Sequence, residues 1–331
     1  MLNVFNAPQA AARARVDWSV DLGKTLYGKP ALTEDEVVLG SFDDARCQVH
    51  RIDQKTGSTL STVNVHHQGT LEGQLDGSPI VRTVDGSLAG TDPATGERRW
   101  IYTPNGYPGA LAISEETMIV GGRNSLTWIK PEDETIDLAH NLPVKNATGL
   151  TITPEGGVLA QTQEGKLYNI SPVGTLTWST RVEAGGSQHQ PVLGPDGMVY
   201  SVGFGGTLTA LDPSGVTRWQ FKAGQPYVNN PAPGAHGEVV ASTFKGQVTS
   251  LDVASGKVQW SHDLGRPVDK TFVHQDGTVF VHHRDGLKAL DGESGQVVQE
   301  LSLPEGEVNQ APDGNLVLTT KQGNVKRIVL E

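Results

Sequence analysis

The chain has 331 residues, 36 % of them hydrophobic and 19 % charged, with a net charge of −11 and a pI near 5.4. That apolar share excludes a disordered chain, and the acidic balance argues against nucleic acid as a partner. Forty glycines and 19 prolines punctuate the chain too often for long helices, but they suit short strands joined by tight turns.

The N-terminal stretch MLNVFNAPQAAARARVDW has no basic start followed by an apolar core, so no secretory signal is expected and cytoplasmic residence is the default. No run approaches the roughly 20 apolar residues of a membrane helix. Residues 1–13 read as an arm and 14–22, which carry Trp18, as a strand. Cys47 is the single cysteine and cannot form an internal disulfide.

From there the chain repeats itself. RIDQKTGSTLS places Ser61, and SLAGTDPATGERRW places Trp100, at the end of one unit each. Around Leu138 the unit survives only as a pattern. KLYNISPVGTLTW ends at Trp178, TLTALDPSGVTRW at Trp219 and QVTSLDVASGKVQW at Trp260. ALDGESGQVVQ carries Gln299 at the same place. In the four clear copies tryptophan stands four residues after a glycine: Gly96, Gly174, Gly215 and Gly256. A period of about 40 residues with several strands per unit reads as propeller blades.

Residues 191–221 show the four strands of one unit. Pro191 to Leu193 is short and inner, and MVYSV follows a Pro-Asp-Gly turn. Gly205-Gly206 then makes a hairpin into TLTALD, and Asp-Pro-Ser-Gly leads to the outer strand VTRWQF. The last unit, from Gln310, stops after its third strand, and 14–22 is an outer strand with no unit before it. The expected fold is therefore all-β: one domain over 1–331, an eight-bladed β-propeller of four-stranded antiparallel blades. The N-terminal strand completes the last blade, which removes exposed sheet edges. The expected blades are 30–65, 78–104, 109–142, 148–183, 189–224, 230–265, 270–303, and 308–331 plus 14–22. The segment 66–77, HHQGTLEGQLDG, reads as a longer loop. The tryptophans, as large apolar groups on outer strands, are expected to pack between blades.

Leu211-Asp212, Leu251-Asp252, Leu290-Asp291 and the Gly-to-Trp spacings resemble the PQQ-like (quinoprotein-type) β-propeller repeat over nearly the whole chain. The resemblance implies either of two uses. Quinoprotein dehydrogenases bind pyrroloquinoline quinone and calcium, often beneath a disulfide of adjacent cysteines. Here Cys47 has no such neighbour, and no calcium-binding set carries over residue by residue. The chain is more similar to the cofactor-free scaffolds of that family, so no cofactor is expected.

Propeller function gathers at one face, around the channel mouth. Stepping through the repeat puts Lys29, Ser78, Pro108, Thr148, Gln190, Asn230, Lys270 and Gln310 just before the inner strands, with His189, Asn229, Asp269 and Asn309 one position earlier. Ordered water can satisfy such a polar ring, and so can a ligand. Tyr27, Tyr107 and Tyr227 are expected in the loops that lead into the inner strands. Phe204 and Phe244 fall at hairpins, with Arg123 and Arg284 nearby. Exposed aromatics with arginines make a hot-spot surface. The expectation is a non-enzymatic scaffold engaging a protein or peptide through that face; the alternative is a ligand-sensing or enzymatic site at the channel mouth. His66-His67 and His282-His283 attract notice as metal ligands, but strand neighbours point to opposite faces and no third ligand stands at a telling spacing. No esterase, phosphate-loop or zinc-protease motif is present.

Overall fold

The computed structural model describes residues 11–43, 46–65, 69–104, 109–114, 116–132, 135–136, 142, 144–183, 189–227 and 229–331. Within them every regular element is a β-strand. The sheets are antiparallel and follow chain order from an inner to an outer strand, so the fold is an all-β propeller. Four sheets are built alike. One runs Ala147–Ile152, Val158–Thr162, Lys166–Ile170 and Leu176–Arg181; the next runs Val192–Leu193, Val199–Val202, Thr207–Leu211 and Thr217–Lys222. The others are Ala232–Pro233, Glu238–Ser242, Gln247–Asp252 and Val258–Asp263, then Lys270–Val273, Val279–His283, Gly286–Leu290 and Val297–Ser302.

The ends of the chain close the ring as expected. Glu307–Gln310, Leu316–Thr319 and Asn324–Leu330 supply three strands, and the N-terminal Ala14–Asp21 adds the outer one, with Ala14 opposite Leu330 and Asp21 opposite Asn324. Arg13 and Glu331 exchange backbone hydrogen bonds just beyond that ladder.

The region before residue 142 is less regular. Thr25–Leu32, Glu36–Asp43, Arg46–Asp53 and Thr59–Val65 form one four-stranded half of an eight-stranded sheet, and Gly69–Leu75, Ser78–Thr83, Leu88–Thr91 and Arg98–Tyr102 form the other. The halves join at their inner strands through a parallel contact of Gly28 with Leu71. Any Cβ on Gly28 would strike the Leu71 backbone, so this approach needs glycine. The segment expected as a longer loop over 66–77 holds an element instead, while 66–68 lie outside the described residues: Gly69–Leu75 is an inner strand whose residues alternate fully buried with half-buried. Its glycines and Gln74 diluted the apolar alternation that marks a strand, while Gly73 lies close against Ile113. Ser78 accordingly opens the second strand of its sheet instead of preceding the inner one. Leu111–Ile113, Met118–Gly121 and Leu126–Ile129 make a three-stranded sheet, followed by a ribbon of Pro131–Glu132 with Thr135–Ile136.

The core is divided into wedges between adjacent sheets. Tyr200, Val202, Leu208 and Ala210 of one sheet meet Val239, Ala241 and Leu251 of the next, all buried. The tryptophans lock these wedges at the outside. Trp219 stacks on the turn of the following sheet, where a Cβ at Gly256 would lie 2.5 Å from the ring, and its indole N–H donates to Val253 O at 2.7 Å. Trp178 does the same to Pro213 O, Trp260 to Gly292 O and Trp18 to Gln54 O. Gly256 has φ +67°, so the repeat's glycine serves a left-handed turn and a close aromatic contact together. Asp212, Asp252 and Asp291 accept hydrogen bonds from backbone N–H groups of their own turns, which explains them as turn residues.

Candidate functional site

In each sheet the hairpin between second and third strands emerges at the same end of the ring as the connection to the next sheet, because neighbouring strands run antiparallel. That end holds most of the expected site residues. Phe204 and Phe244 sit at the tips of equivalent hairpins in adjacent sheets and are 65 % and 63 % exposed. Both lie in the predicted place. Arg123 and Arg284 occupy the matching tips of their own sheets and are exposed. Arg284 is paired with Glu305 at 3.0 Å, both groups well solvated, a pairing that adds little stability. Val84, 83 % exposed on the corresponding hairpin, was not singled out by the sequence reading; its only signal is an apolar residue inside a turn motif.

The tyrosines divide. Tyr27 is exposed, but it belongs to the strand Thr25–Leu32 instead of a connecting loop and meets Phe42 edge-on at 5.1 Å. Tyr107 lies outside the described residues. Tyr227 is not on the surface: it is 6 % exposed and packed in the wedge with Tyr200 and Val239. An isolated bridge pairs its backbone with Thr243 of the next hairpin, and its ring packs in the core wedge. Burial holds its hydroxyl well above the usual phenolic range, assisted by Glu183. Among the described residues the expected aromatics that are exposed are Phe204, Phe244 and Tyr27, without Tyr227.

Around the ring axis runs a channel of about 1900 Å³, lined by the inner strand of every sheet. Lys29, Thr148, Gln190, Asn229, Asn230, Lys270, Asn309 and Gln310 all line it. Thr148 and Lys270 begin or nearly begin their strands and Gln310 ends its own, so the repeat step located the ring to within a few residues. Pro108 lies outside the described residues. Neighbouring sheets are tied across the rim: Gln190 N donates to Asn230 Oδ1 at 2.9 Å, and Lys270 Nζ donates to Asn309 Oδ1 at 2.6 Å and to Glu307 at 3.1 Å. His189 Nε2 donates to Tyr227 O at 3.2 Å, and burial lowers the pKa of this histidine. One layer deeper the wall turns apolar, with Leu150, Val192, Ala232 and Phe272 each two residues below a polar rim position. Glu72 and Arg82, paired at 2.6 Å, add a partly buried ion pair on another side of the channel.

His66 and His67 lie outside the described residues. His282 and His283 are both buried in one strand, and no group of three metal-ligating side chains occurs among the described residues. Burial pushes the Cys47 thiol up to about 11, which keeps it protonated and unreactive.

The chain matches the family described as outer membrane protein assembly factor BamB over residues 9–115, 127–275 and 245–329. No curated protein matches it. Among solved structures, BamB from Moraxella catarrhalis superposes with a TM-score of 0.74 at 17 % identity, over 96 % of this chain and 99 % of that one. The computationally designed Ika8 protein gives 0.73 at 18 % identity, over 93 % and 96 %. Sqt1 from Chaetomium thermophilum gives 0.75 at 14 % identity, over 96 % and 99 %. At these identities the likeness is one of fold, which hosts many functions.

Proposed function

Because this chain belongs to the propeller family described as outer membrane protein assembly factor BamB, we propose that it is a non-enzymatic scaffold that engages a protein partner through the hairpin face of the ring. On this reading the ring is eight-bladed, with the eight-stranded sheet as two blades and the three-stranded sheet as one. The observation that carries the reading is the pair Phe204 and Phe244. Two phenyl rings on adjacent hairpins remain mostly in water, whereas the other phenylalanines among the described residues are not exposed large apolar groups. Exposed aromatics of this kind are common anchors of protein interfaces. The family description names an assembly factor, which fits a role in bringing proteins together.

The test is site-specific photo-crosslinking in the native source. A photoreactive amino acid at 204 or 244 should trap one defined partner. The same group at exposed Val173 or Val258, on turns and outer strands away from that face, should not. Capture from 173 or 258 with none from 204 and 244 would overturn the assignment.

The channel supports a second reading, a small-molecule site at its mouth. A polar rim over an apolar wall, around about 1900 Å³, is the composition of a ligand cavity. Replacing Lys270 by Met should abolish a ligand-induced rise in melting temperature found by screening; the absence of any such ligand would remove this reading.

A further inference from the structure

The channel along the ring axis has two unlike ends. In each sheet the turn between first and second strands lies at the end opposite the hairpin face, because neighbouring strands run antiparallel. Asp76 sits in that turn of its sheet and Glu116 in that of the following three-stranded sheet. Both line the channel, both are exposed, and neither makes an ion pair among the described residues. The same turn after Ala147–Ile152 adds exposed Glu155, between Pro154 and Gly156 of the channel wall. At the hairpin end the lining acids are answered: Glu72 pairs with Arg82 and Glu307 with Lys270. The lining cation left over there is Lys29, exposed and without an ion pair among the described residues. The open charges of the lining are thus positive at one mouth and negative at the other. Between them the wall carries Val192, Ala232 and Phe272. At the rim the Gln190 side-chain amide and Asn230 Nδ2 make no hydrogen bond among the described residues and are not shielded from solvent. From Thr148 to Thr153 the wall is about 17 Å long at a strand rise of ~3.3 Å per residue, the reach of roughly five residues of extended chain.

Resting on the channel reading above, we infer that the channel takes a short, apolar oligopeptide with free termini, its C-terminal carboxylate at Lys29 and its N-terminal ammonium at Asp76 and Glu116. Each part of such a molecule meets its complement in the lining. Peptide N–H and C=O groups pair with primary amides, which offer donors and an acceptor side by side. Apolar side chains cover Val192, Ala232 and Phe272. The separated end charges set direction, since a peptide reversed end for end would bring like charges together at both mouths. A fatty acid would leave Asp76 and Glu116 unanswered, and a diamine would meet Lys29. Solvated charge pairs add little affinity each, so apolar burial and the amides supply most of the binding and the termini supply its polarity.

The probe is the pentapeptide Ala-Leu-Ala-Leu-Ala, titrated calorimetrically against the full chain with free termini, N-acetylated, C-amidated, or capped at both ends. The free peptide should bind saturably. Each single cap should weaken it roughly threefold or more and the double cap more than either. Acetylation should make no difference to the double variant Asp76→Asn/Glu116→Gln, and amidation none to Lys29→Met, because each variant has already lost the partner of that terminus. All these side chains are exposed, so the variants should melt with the parent. Lys257→Met, which removes an exposed charge from an outer turn, should bind all four forms as the parent does. No saturable binding, equal binding of free and doubly capped peptide, or a Lys29→Met variant that still distinguishes the amidated form would overturn the inference. If the pentapeptide fails while another screened compound raises the melting temperature of the parent but not of Lys270→Met, only the peptide class is wrong; if no compound does so, the channel reading itself falls.

Discussion

The stretch from 147 to 303 and the stretch from 25 to 142 belong to one ring but hold their sheets together differently. In the later stretch Trp178, Trp219 and Trp260 each reach the turn of the following sheet, stack on its glycine and donate to its backbone. In the earlier stretch Ser61 stands where a tryptophan would, and its hydroxyl is buried without a partner. There the sheets are joined at the inside instead, by the backbone contact of Gly28 with Leu71. Trp100 packs across Gly90 of its own sheet, in a wedge with Met118, Val120 and Ile129 of the next. The difference teaches that a propeller needs each wedge filled and each seam fastened, but it can fasten the seam at either radius. Gln299 shows a third solution. At a tryptophan position it accepts from Ala14 N and donates to Ala14 O, gripping the N-terminal strand through its backbone.

The strongest challenge to the comparison lies where the two stretches meet through the closing sheet. Removing residues 1–22 takes away the outer strand Ala14–Asp21 together with Trp18, which docks on the first sheet. It leaves Asn324–Leu330 as an open edge. We expect the largest loss here: a fall in melting temperature of tens of degrees, or precipitation, in a thermal scan with light scattering. A truncated chain that melts with the full one would show that closure contributes nothing.

Next comes the tryptophan itself. Trp219→Ala removes a core group and its hydrogen bond, and should cost about 3–5 kcal/mol in chemical denaturation. A cost under about 1 kcal/mol would mean that the docking is not what fastens the regular stretch.

The regular stretch also contains an exception, His282. Two residues before a hairpin tip, Gln161 donates to Val202 O at 3.1 Å and Ser242 bonds Thr271 Oγ1 at 2.6 Å, each bridging to the next sheet. His282 occupies the same place, is 1 % exposed, and neither ring nitrogen has a hydrogen-bond partner. Asp269 approaches no nearer than 3.7 Å. Burial lowers its pKa to about 4, with His283 and Lys270 adding to the effect and Glu307 opposing it. The folded pKa lies below the ordinary value of 6.5, so between the two the unfolded chain binds a proton that the folded one refuses. The stability held by neutral His282 is therefore complete above about pH 6.5 and is lost as pH falls toward 4, by about 3 kcal/mol. Denaturation from pH 7.5 to 4 should show His282→Leu gaining on the parent by that amount. Parallel pH profiles would refute the assignment.

The smallest effect is the mirror of the tryptophan. Ser61→Ala removes a buried hydroxyl that has no partner, and should change stability by less than about 0.5 kcal/mol or raise it slightly. A loss above about 1 kcal/mol would reveal a fastening at this seam that the geometry does not contain.

The repeat was legible because its residues act locally. Gly215, Asp212 and Trp219 announce a turn and an outer strand within eight positions, and the terminal half-units at 14–22 and from Gln310 announce closure. Phe204 and Phe244 were legible as hairpin tips for the same reason. The inner strand Gly69–Leu75 was not, because its glycines serve contacts with Ile113 and the Arg82 backbone, which lie in other strands. Tyr227 was misread as exposed because its neighbours, Gln, Pro and Asn, spell a surface loop. Its ring is buried by Val239 and Ala241, which the sequence places more than ten residues away.

The sequence by itself thus determined the period, the strand and turn chemistry, the family and the ring that joins the two ends, since all of these follow from short-range backbone preference repeated many times. Only the tertiary structure decided which seams are fastened by indole and which by backbone, which tyrosine is covered, and where hydrogen bonds go unmade. Those outcomes depend on atoms brought together from adjacent sheets about 40 residues apart, and apart from the tryptophans the packing between sheets leaves little local mark on the chain.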